Sequence, residues 1–291
     1  MILLKGKEVS LKIKEKLANR IEKLKSKNII PSLAVIIVGD NPASKLYVAS
    51  KVKTFKKMNC YSKTFELPFK ISSHELIELI LKLNDDDNYH GILVQLPLPK
   101  HLNEENILEI IDSKKDVDGF HPKNQGFLMQ GRPTFIPCTP LGCIKIIEHY
   151  NIKTEGKNVV VVGRSNIVGK PIASLLSQNS NFGNATVTLC HSKTKNLEKF
   201  TSKADIIIAA VGVPELINKN MIKKGAHIID VGINRVDDNT NPKGYKVVGD
   251  VNFENVKDKV ESITPVPGGV GIMTVTMLLY NTIQAAENLS K

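Results

Sequence analysis

Asn158-Val-Val-Val-Val-Gly163-Arg164-Ser165-Asn-Ile-Val-Gly169-Lys170-Pro171 decides the fold. Four consecutive valines without polar alternation suit a strand buried on both faces. Gly163 closes that strand, and Pro171 stands where a helix over Ile172–Gln178 begins. Strand, glycine turn and helix start together make an anion cradle, because free N–H groups and the helix dipole face one point. The stretch predicts a phosphorylated cofactor near the middle of the chain; an ordinary tight strand-to-helix connection is the alternative. Two familiar templates fail. A Walker A loop has four residues between its glycines and then Lys-Ser/Thr, whereas five residues separate Gly163 from Gly169 and a proline follows Lys170. The standard Gly-x-Gly-x-x-Gly turn fails too, since Ser165 occupies the second glycine position and the third comes late. A variant dinucleotide turn remains.

Outward from this point, apolar runs alternate with amphipathic segments. Strands are expected at Leu33–Val38, Ser62–Leu67, Gly91–Leu96, Thr186–Leu189, Ile206–Val211 and His227–Val231 beside the valine run. Helices are expected at Val9–Lys25, Ser44–Met58, His74–Leu83 and Leu141–Tyr150. This order predicts an α/β fold of parallel β-α-β units, with ligands at the carboxyl ends of the strands. The division between two domains falls near residues 120–155. Phe120–Pro137, rich in Pro, Gly and Asn, reads as loop. Thr139-Pro140 then reads as an N-cap and first helical residue. The apolar segment Gly271–Leu289 reads as a helix able to cross back to the first domain.

The 291 residues, 42% apolar, suffice for two modest domains or one large α/β unit and exclude disorder. The N-terminal apolar run is too short for a signal peptide, and nothing long enough to span a membrane is visible. Cys60, Cys138, Cys143 and Cys190 lack zinc or CxxC spacing, so they read as small apolar fillers in a reduced cytoplasm. The net charge of +11 raises nucleic acid as a partner. Only four of the 40 basic residues are arginine, the lysines are scattered, and aromatics are 5%, so that reading is set aside.

Tyr47-Val-Ala-Ser-Lys51 matches the Tyr-x-x-x-Lys pattern of short-chain dehydrogenases, but the order of that pair and the glycine turn is reversed here. On a helix the pair are neighbours. At 100° per residue, Val48, Val52 and Phe55 form the buried stripe, with Ser44, Tyr47 and Lys51 along one flank. With 36 lysines among the 40 basic residues, position alone leaves Lys51 open between a catalytic group and a solvated helix lysine. Gln95 ends a buried-looking strand, where ligands gather or an amide is simply satisfied. Lys115-Asp-Val-Asp118-Gly-Phe-His-Pro122 puts two acids in a loop without the further acids of a calcium loop, so no metal is expected. Thr264-Pro-Val-Pro267-Gly268-Gly-Val-Gly271 brings bare backbone close to a partner or forms a rigid turn.

Taken in order, these motifs resemble the bifunctional methylenetetrahydrofolate dehydrogenase/methenyltetrahydrofolate cyclohydrolase family. The likeness rests on Val38-Gly-Asp-x-Pro-Ala-Ser44 with Tyr47 and Lys51, Val94–Pro99, Lys115–Pro122, Pro137–Pro140, Gly163–Pro171, Asp230–Arg235 and Pro265–Gly271. It runs from Gly6 to the C-terminal helix. Two departures are visible: Ile272 replaces a usual proline, and Asn59-Cys60 replaces Gly-Ile. Asparagine tolerates the left-handed backbone better than most residues, so the second change is conservative.

The resemblance implies a folate-binding catalytic domain over residues 1–138, with helix 271–291 returning to it. It implies a Rossmann-like, parallel-sheet NADP-binding domain over 139–270, with a cleft between the two. It implies oxidation of 5,10-methylenetetrahydrofolate by NADP and hydrolysis of the product to 10-formyltetrahydrofolate, steps of one-carbon metabolism that feed purine and amino-acid biosynthesis. Carried over, Lys51 is the central catalytic residue, Tyr47 and Gln95 hold and tune it, and Asp118 takes the pterin. Ser44, Tyr47, Asp118, Pro267 and Gly268 line the folate site. Gly163, Arg164, Ser165, Ser192 and Ile233 hold the cofactor. A cytoplasmic homodimer is implied as well. The residues bear on the cofactor independently: no acid follows Thr186–Leu189 to take a ribose diol, and Arg164 in the turn suits a further phosphate. A dehydrogenase without hydrolase activity and a non-catalytic NADP-binding regulator are the competing readings.

Overall fold

The structure, a computed structural model, describes residues 1–242 and 244–290; Lys243 and Lys291, the last residue of segment 271–291, lie outside the described residues. The chain runs β1 (Ile2–Leu3), α1 (Gly6–Lys25), β2 (Ser32–Val38), α2 (Pro42–Lys57), β3 (Tyr61–Leu67), α3 (Ser73–Asn84), β4 (Gly91–Val94), α4 (Glu104–Ile110), α5 (Pro122–Met129) and α6 (Cys138–His149). It continues with β5 (Asn158–Val162), α7 (Gly169–Ser177), β6 (Thr186–Cys190), α8 (Glu198–Thr201), β7 (Ile206–Ala209), β8 (His227–Asp230), β9 (Asn234–Asp237), β10 (Tyr245–Val248), α9 (Phe253–Val256), β11 (Ser262–Ile263) and α10 (Val270–Leu289). Two compact units result. One comprises Lys12–Phe127, Pro133–Cys138 and the chain from Val275; the other comprises Met1–Leu11, Leu128–Arg132 and Thr139–Thr274.

The first unit holds a three-stranded parallel sheet in the order β3-β2-β4. Central β2, Ser-Leu-Ala-Val-Ile-Ile-Val, is buried along its whole length, as a strand covered on both faces must be. Ala34, Ile36 and Val38 share one face and pack with Leu76, Ile80 and Leu83 of α3 and Ile107 of α4. Each such aliphatic side chain contributes roughly 1.5–3 kcal/mol by leaving water. A capping box starts α3: Ser72 Oγ accepts from Glu75 N, and Glu75 returns a bond to the Ser72 N–H. The far end of α10 is tied into this unit by Arg20, which donates to both Glu287 oxygens at 2.9 and 2.7 Å and lies over the Tyr280 ring. Asn281 adds two bonds, donating to Val117 O at 2.8 Å and Ile136 O at 3.0 Å.

The second unit holds six strands in the order β1-β11-β8-β7-β5-β6, every neighbouring pair parallel. The valine strand β5 lies between β6 and β7, so its two following strands lie on opposite sides of it. In such sheets ligands bind outside the carboxyl ends at this reversal of strand order. A separate antiparallel hairpin, β9-β10, stands outside the sheet.

Several sequence expectations are corrected. Phe120–Pro137 is not all loop, since α5 occupies Pro122–Met129. Its glycine and proline hid a helix held from outside: Asn124 donates to Ser113 O and to the Asp116 carboxylate, and Leu128 is buried. Thr139 is not an N-cap, because α6 already begins at Cys138 and the Thr139 hydroxyl pairs with that of Thr274 at 3.0 Å. Helix α7 starts at Gly169 instead of Ile172, leaving Pro171 in the first turn, where its missing N–H costs nothing. The strands expected to reach Leu96, Val211 and Val231 stop at Val94, Ala209 and Asp230. Strands β1 and β11, two residues each, and the hairpin strands β9 and β10 were not among those expected.

Replacing Asn281 with leucine would strand two carbonyls. The expected loss is about 2–4 kcal/mol of unfolding free energy, read as a lower urea midpoint with cooperativity retained. An unchanged midpoint would show that these bonds carry no net stability.

Candidate active site

Helix α2 begins where Asn41 accepts from the N–H groups of Ala43 and Ser44 at 3.0 and 3.1 Å, with Pro42 at the first position. It ends in a left-handed Asn59 (φ 56°), with Asn59 N–H to Lys56 O and Cys60 N–H to Phe55 O. This is the backbone conformation that glycine or asparagine accommodates. Its buried residues are Ser44, Val48, Lys51 and Phe55. The expected stripe had Val52 in that set and Lys51 on the flank. In fact Val52 is half-buried and Lys51 faces inward, only 7% exposed.

A lysine brought inside needs an acceptor. Lys51 Nζ donates to Gln95 Oε1 at 2.9 Å. Gln95 follows the last residue of β4, and its N–H still donates to Ile36 O at 2.8 Å. Its Nε2 donates to Leu96 O at 2.7 Å, which fixes the amide so that the oxygen meets the lysine. Burial pushes the Lys51 pKa down from its ordinary value, while the charge of Asp118 and then the Cys138 thiol pull it back up. Tyr47, 41% exposed, makes no hydrogen bond to Lys51; burial of its ring raises its phenol pKa.

The two acids of the 115–122 loop have separate roles. Asp116 is buried and accepts from Gly119 and Phe120 N–H at Oδ1, and from His121 N–H and Asn124 Nδ2 at Oδ2. It is the loop's anchor. Lys115 is equally structural, donating to Leu83 O and Asp86 O at the end of α3. Asp118 is the acid left to face Lys51. Desolvation pushes its carboxyl up, and the lysine charge and the Cys138 thiol push it down. Cys138 is therefore more than filler: its thiol touches Asp118 and lies 3.5 Å from Val117 O. Among the described residues no group of three or more His, Cys, Asp or Glu is arranged to hold a metal ion.

The cofactor candidates gather on one edge of the six-stranded sheet. Gly163, Arg164 and Ser165 follow β5, Ser192 follows β6, and Ile233 follows β8. Gly163 has φ 125°, and a Cβ there would collide with Ala210 O just beyond β7. A Cβ at Gly169 would collide in turn with Gly163 O. Gly169 thus lets the start of α7 close onto the end of β5, and Gly163 lets that end close onto the chain leaving β7. Ser165 Oγ accepts from Val168 and Gly169 N–H at 3.1 and 3.3 Å, so it occupies two of the donors at the start of α7. Arg164, Ser192 and Ile233 are exposed. Pro267 and Gly268 belong to this unit too, where Gly268 O accepts the Gly6 N–H at 3.0 Å. Asn281 was not singled out from sequence, while Cys138 was read only as filler and Asp116 only as one of two loop acids. Asn281 carries a signal that could have found it, as an amide inside an apolar helix that must find partners.

A parallel sheet with a glycine turn at its reversal point, together with a buried lysine-amide-carboxylate set, defines a nucleotide-dependent α/β oxidoreductase. Residues 4–118 match the tetrahydrofolate dehydrogenase/cyclohydrolase catalytic domain, and residues 137–290 match the NAD(P)-binding domain of the same name. The Bifunctional protein FolD of Campylobacter hominis is 52% identical, the alignment covering 100% of this chain and 99% of that one. The crystal structure of the FolD dehydrogenase/cyclohydrolase of Campylobacter jejuni has 52% identity and a TM-score of 0.93 over 99% of each chain. The Trypanosoma brucei FolD, complexed with NADP cofactor and inhibitor, has 35% identity and a TM-score of 0.94, with 100% of this chain and 99% of that one covered. The chain belongs to the tetrahydrofolate dehydrogenase/cyclohydrolase family and is an enzyme of folate one-carbon chemistry.

Lys51 should titrate below the surface lysines when the ¹³Cε shifts of labelled protein are followed against pH. Asp118→Asn removes the negative charge that opposes burial, so the Lys51 pKa should move lower still. Titration of Lys51 together with the exposed lysines would contradict the buried placement.

Proposed function

We propose that this chain oxidises 5,10-methylenetetrahydrofolate to 5,10-methenyltetrahydrofolate with NADP, then hydrolyses that product to 10-formyltetrahydrofolate. The observation that supports it best is Lys51, buried, held by Gln95 and facing Asp118, in a chain of this family. Residues 1–138 with segment 271–291 supply the folate-binding catalytic part, and residues 139–270 the NADP-binding part. The enzyme acts as a cytoplasmic homodimer, and no helix among the described residues is long and apolar enough to cross a membrane.

NADP, when bound, supplies the hydride acceptor. The residues at the strand ends fit it: the glycine turn admits close backbone approach, no acid follows β6, and Arg164 is an exposed arginine with no ion pair among the described residues. Arg164 and Ser192 take the additional phosphate, Gly163 and Ser165 line the cradle, and Ile233 packs on the cofactor. On the folate side Asp118 accepts from the pterin N–H donors, and Ser44 and Tyr47 bind the substrate; Pro267 and Gly268 are assigned to the folate by the family resemblance.

In the hydrolytic step water adds to the methenyl carbon, forming a C–O bond and releasing a proton. The added hydroxyl then loses its proton as the formyl C=O forms, the C–N bond breaks, and the departing nitrogen is protonated, for a net release of one proton. Lys51 is suited to these transfers, because burial favours its neutral form and the cationic substrate beside it favours that form further. Gln95 aims the lysine without neutralising it, since an amide oxygen accepts a hydrogen bond but carries no charge.

Lys51→Met should lower the cyclohydrolase rate by about a hundredfold or more, the scale of general acid–base catalysis, while part of the dehydrogenase activity survives. Decay of the methenyl chromophore at the wild-type rate would refute the role. Arg164→Ala should weaken NADP by roughly ten- to a hundredfold, the worth of a charge-assisted bond, and leave NAD nearly unaffected. Steady-state KM values for the two cofactors decide it, and equal losses would overturn the assignment.

A further inference from the structure

Two buried carboxylates lie behind the cofactor edge of the six-stranded sheet and take part in no step above. Asp250, fully buried, accepts from Val211 N–H at 2.7 Å and Gly212 N–H at 3.0 Å through Oδ2. Its Oδ1 accepts from Asn234 Nδ2 at 2.9 Å. The Asp250 N–H donates to Asp230 Oδ1 at 2.9 Å, and Asp230 also accepts from Gly232 N–H at 2.9 Å and Val251 N–H at 3.0 Å. Asp230 is fixed in turn by Thr264, whose hydroxyl accepts the Asp230 N–H at 2.7 Å.

The partners of Asp250 are distributed so as to matter. Val211-Gly212 follows β7 directly after Ala210, the residue whose carbonyl abuts Gly163. Asn234 adjoins Ile233, after β8. One carboxylate thus binds the loop opposite the glycine turn to the loop carrying Ile233. Asp250 itself is buried beneath both.

We propose that Asp250 is a positioning residue for the cofactor, locking the loops after β7 and β8 into the single arrangement that receives the nucleotide. The inference rests on the assignment of Gly163 and Ile233 to the cofactor. A loop pair freed of this anchor spends only a fraction of its time in the receiving arrangement, and the apparent Kd rises as that fraction falls. Hydrolysis of added methenyltetrahydrofolate needs Lys51 and no cofactor, so it is left nearly intact. Asparagine can stand in for the aspartate. Its amide oxygen accepts the two backbone N–H groups, its NH₂ faces Asn234, and the Asn234 amide turns over to accept.

The test titrates NADP into the full-length wild type, Asp250→Ala, Asp250→Asn and Asn234→Ala, with cyclohydrolase rates measured on the same samples. Asp250→Ala should bind NADP about tenfold or more weakly, Asp250→Asn within about threefold of wild type, and Asn234→Ala in between. All should keep cyclohydrolase kcat/KM within about twofold, since the anchor lies outside that chemistry. Wild-type NADP affinity in a folded Asp250→Ala, a parallel loss of both activities, or no rescue by asparagine would overturn the proposal. Should the alanine variant fail to fold, Asn234→Ala decides, and unchanged affinity there counts against the anchor. A wild type that does not bind NADP sinks the cofactor assignment instead of this one.

Discussion

Taking an ammonium group out of water is the constraint around which the first unit is arranged. Desolvation alone costs several kcal/mol for an unpaired ion, so a lysine in a helix stripe is tolerated only if partners meet it. Here the nearest hydrogen-bond partner is the Gln95 amide, and the Asp118 carboxylate acts at longer range. A carboxylate bonded directly to Nζ would hold the proton on the lysine. A neutral amide positions the nitrogen and leaves its proton exchangeable, which is the condition general acid–base work requires. The short strand β4, the fixed amide of Gln95 and the anchored 115–122 loop all serve that placement.

The same economy governs the buried acids. Asp116, Asp230 and Asp250 each collect backbone N–H donors from loops that lack a ladder of their own. A carboxylate has about four acceptor sites, so one side chain can pin several residues of irregular chain. Asp116 shapes the loop that presents Asp118, and Asp250 shapes the loops beside the glycine turn. In both units a structural acid lies one or two residues, or one loop, from the group expected to meet a ligand.

In the larger sheet the constraint is steric. The end of β5 at Gly163 lies so close to Ala210 after β7, and the start of α7 at Gly169 so close to Gly163, that no side chain fits at either place. Ser165 compensates by serving two N–H groups that the turn leaves without intrahelical partners. The outcome is a compact edge where Arg164, Ser192 and Ile233 remain exposed at the ends of three strands of one parallel sheet.

The parallel α/β architecture, the glycine turn after the valine strand and the family were legible from the chain alone. Doubly covered strands are uninterrupted apolar runs, and glycines that permit close approach have no substitutes, so both leave a mark in linear order. Helix α5 did not, because its stability comes from Asn124 reaching Asp116 and not from its own composition. Nor did the inward turn of Lys51. Helical phase set it beside Val48 and Phe55, but only the position of Gln95 on another element decided that a charged side chain would be buried in preference to Val52. The sequence by itself determined which residues could perform the chemistry, since residue type and local spacing are properties of the chain. Which acid anchors the loop and which faces Lys51, and which lysines among 36 lose their water, was decided by tertiary structure, because desolvation depends on neighbours that are distant in sequence.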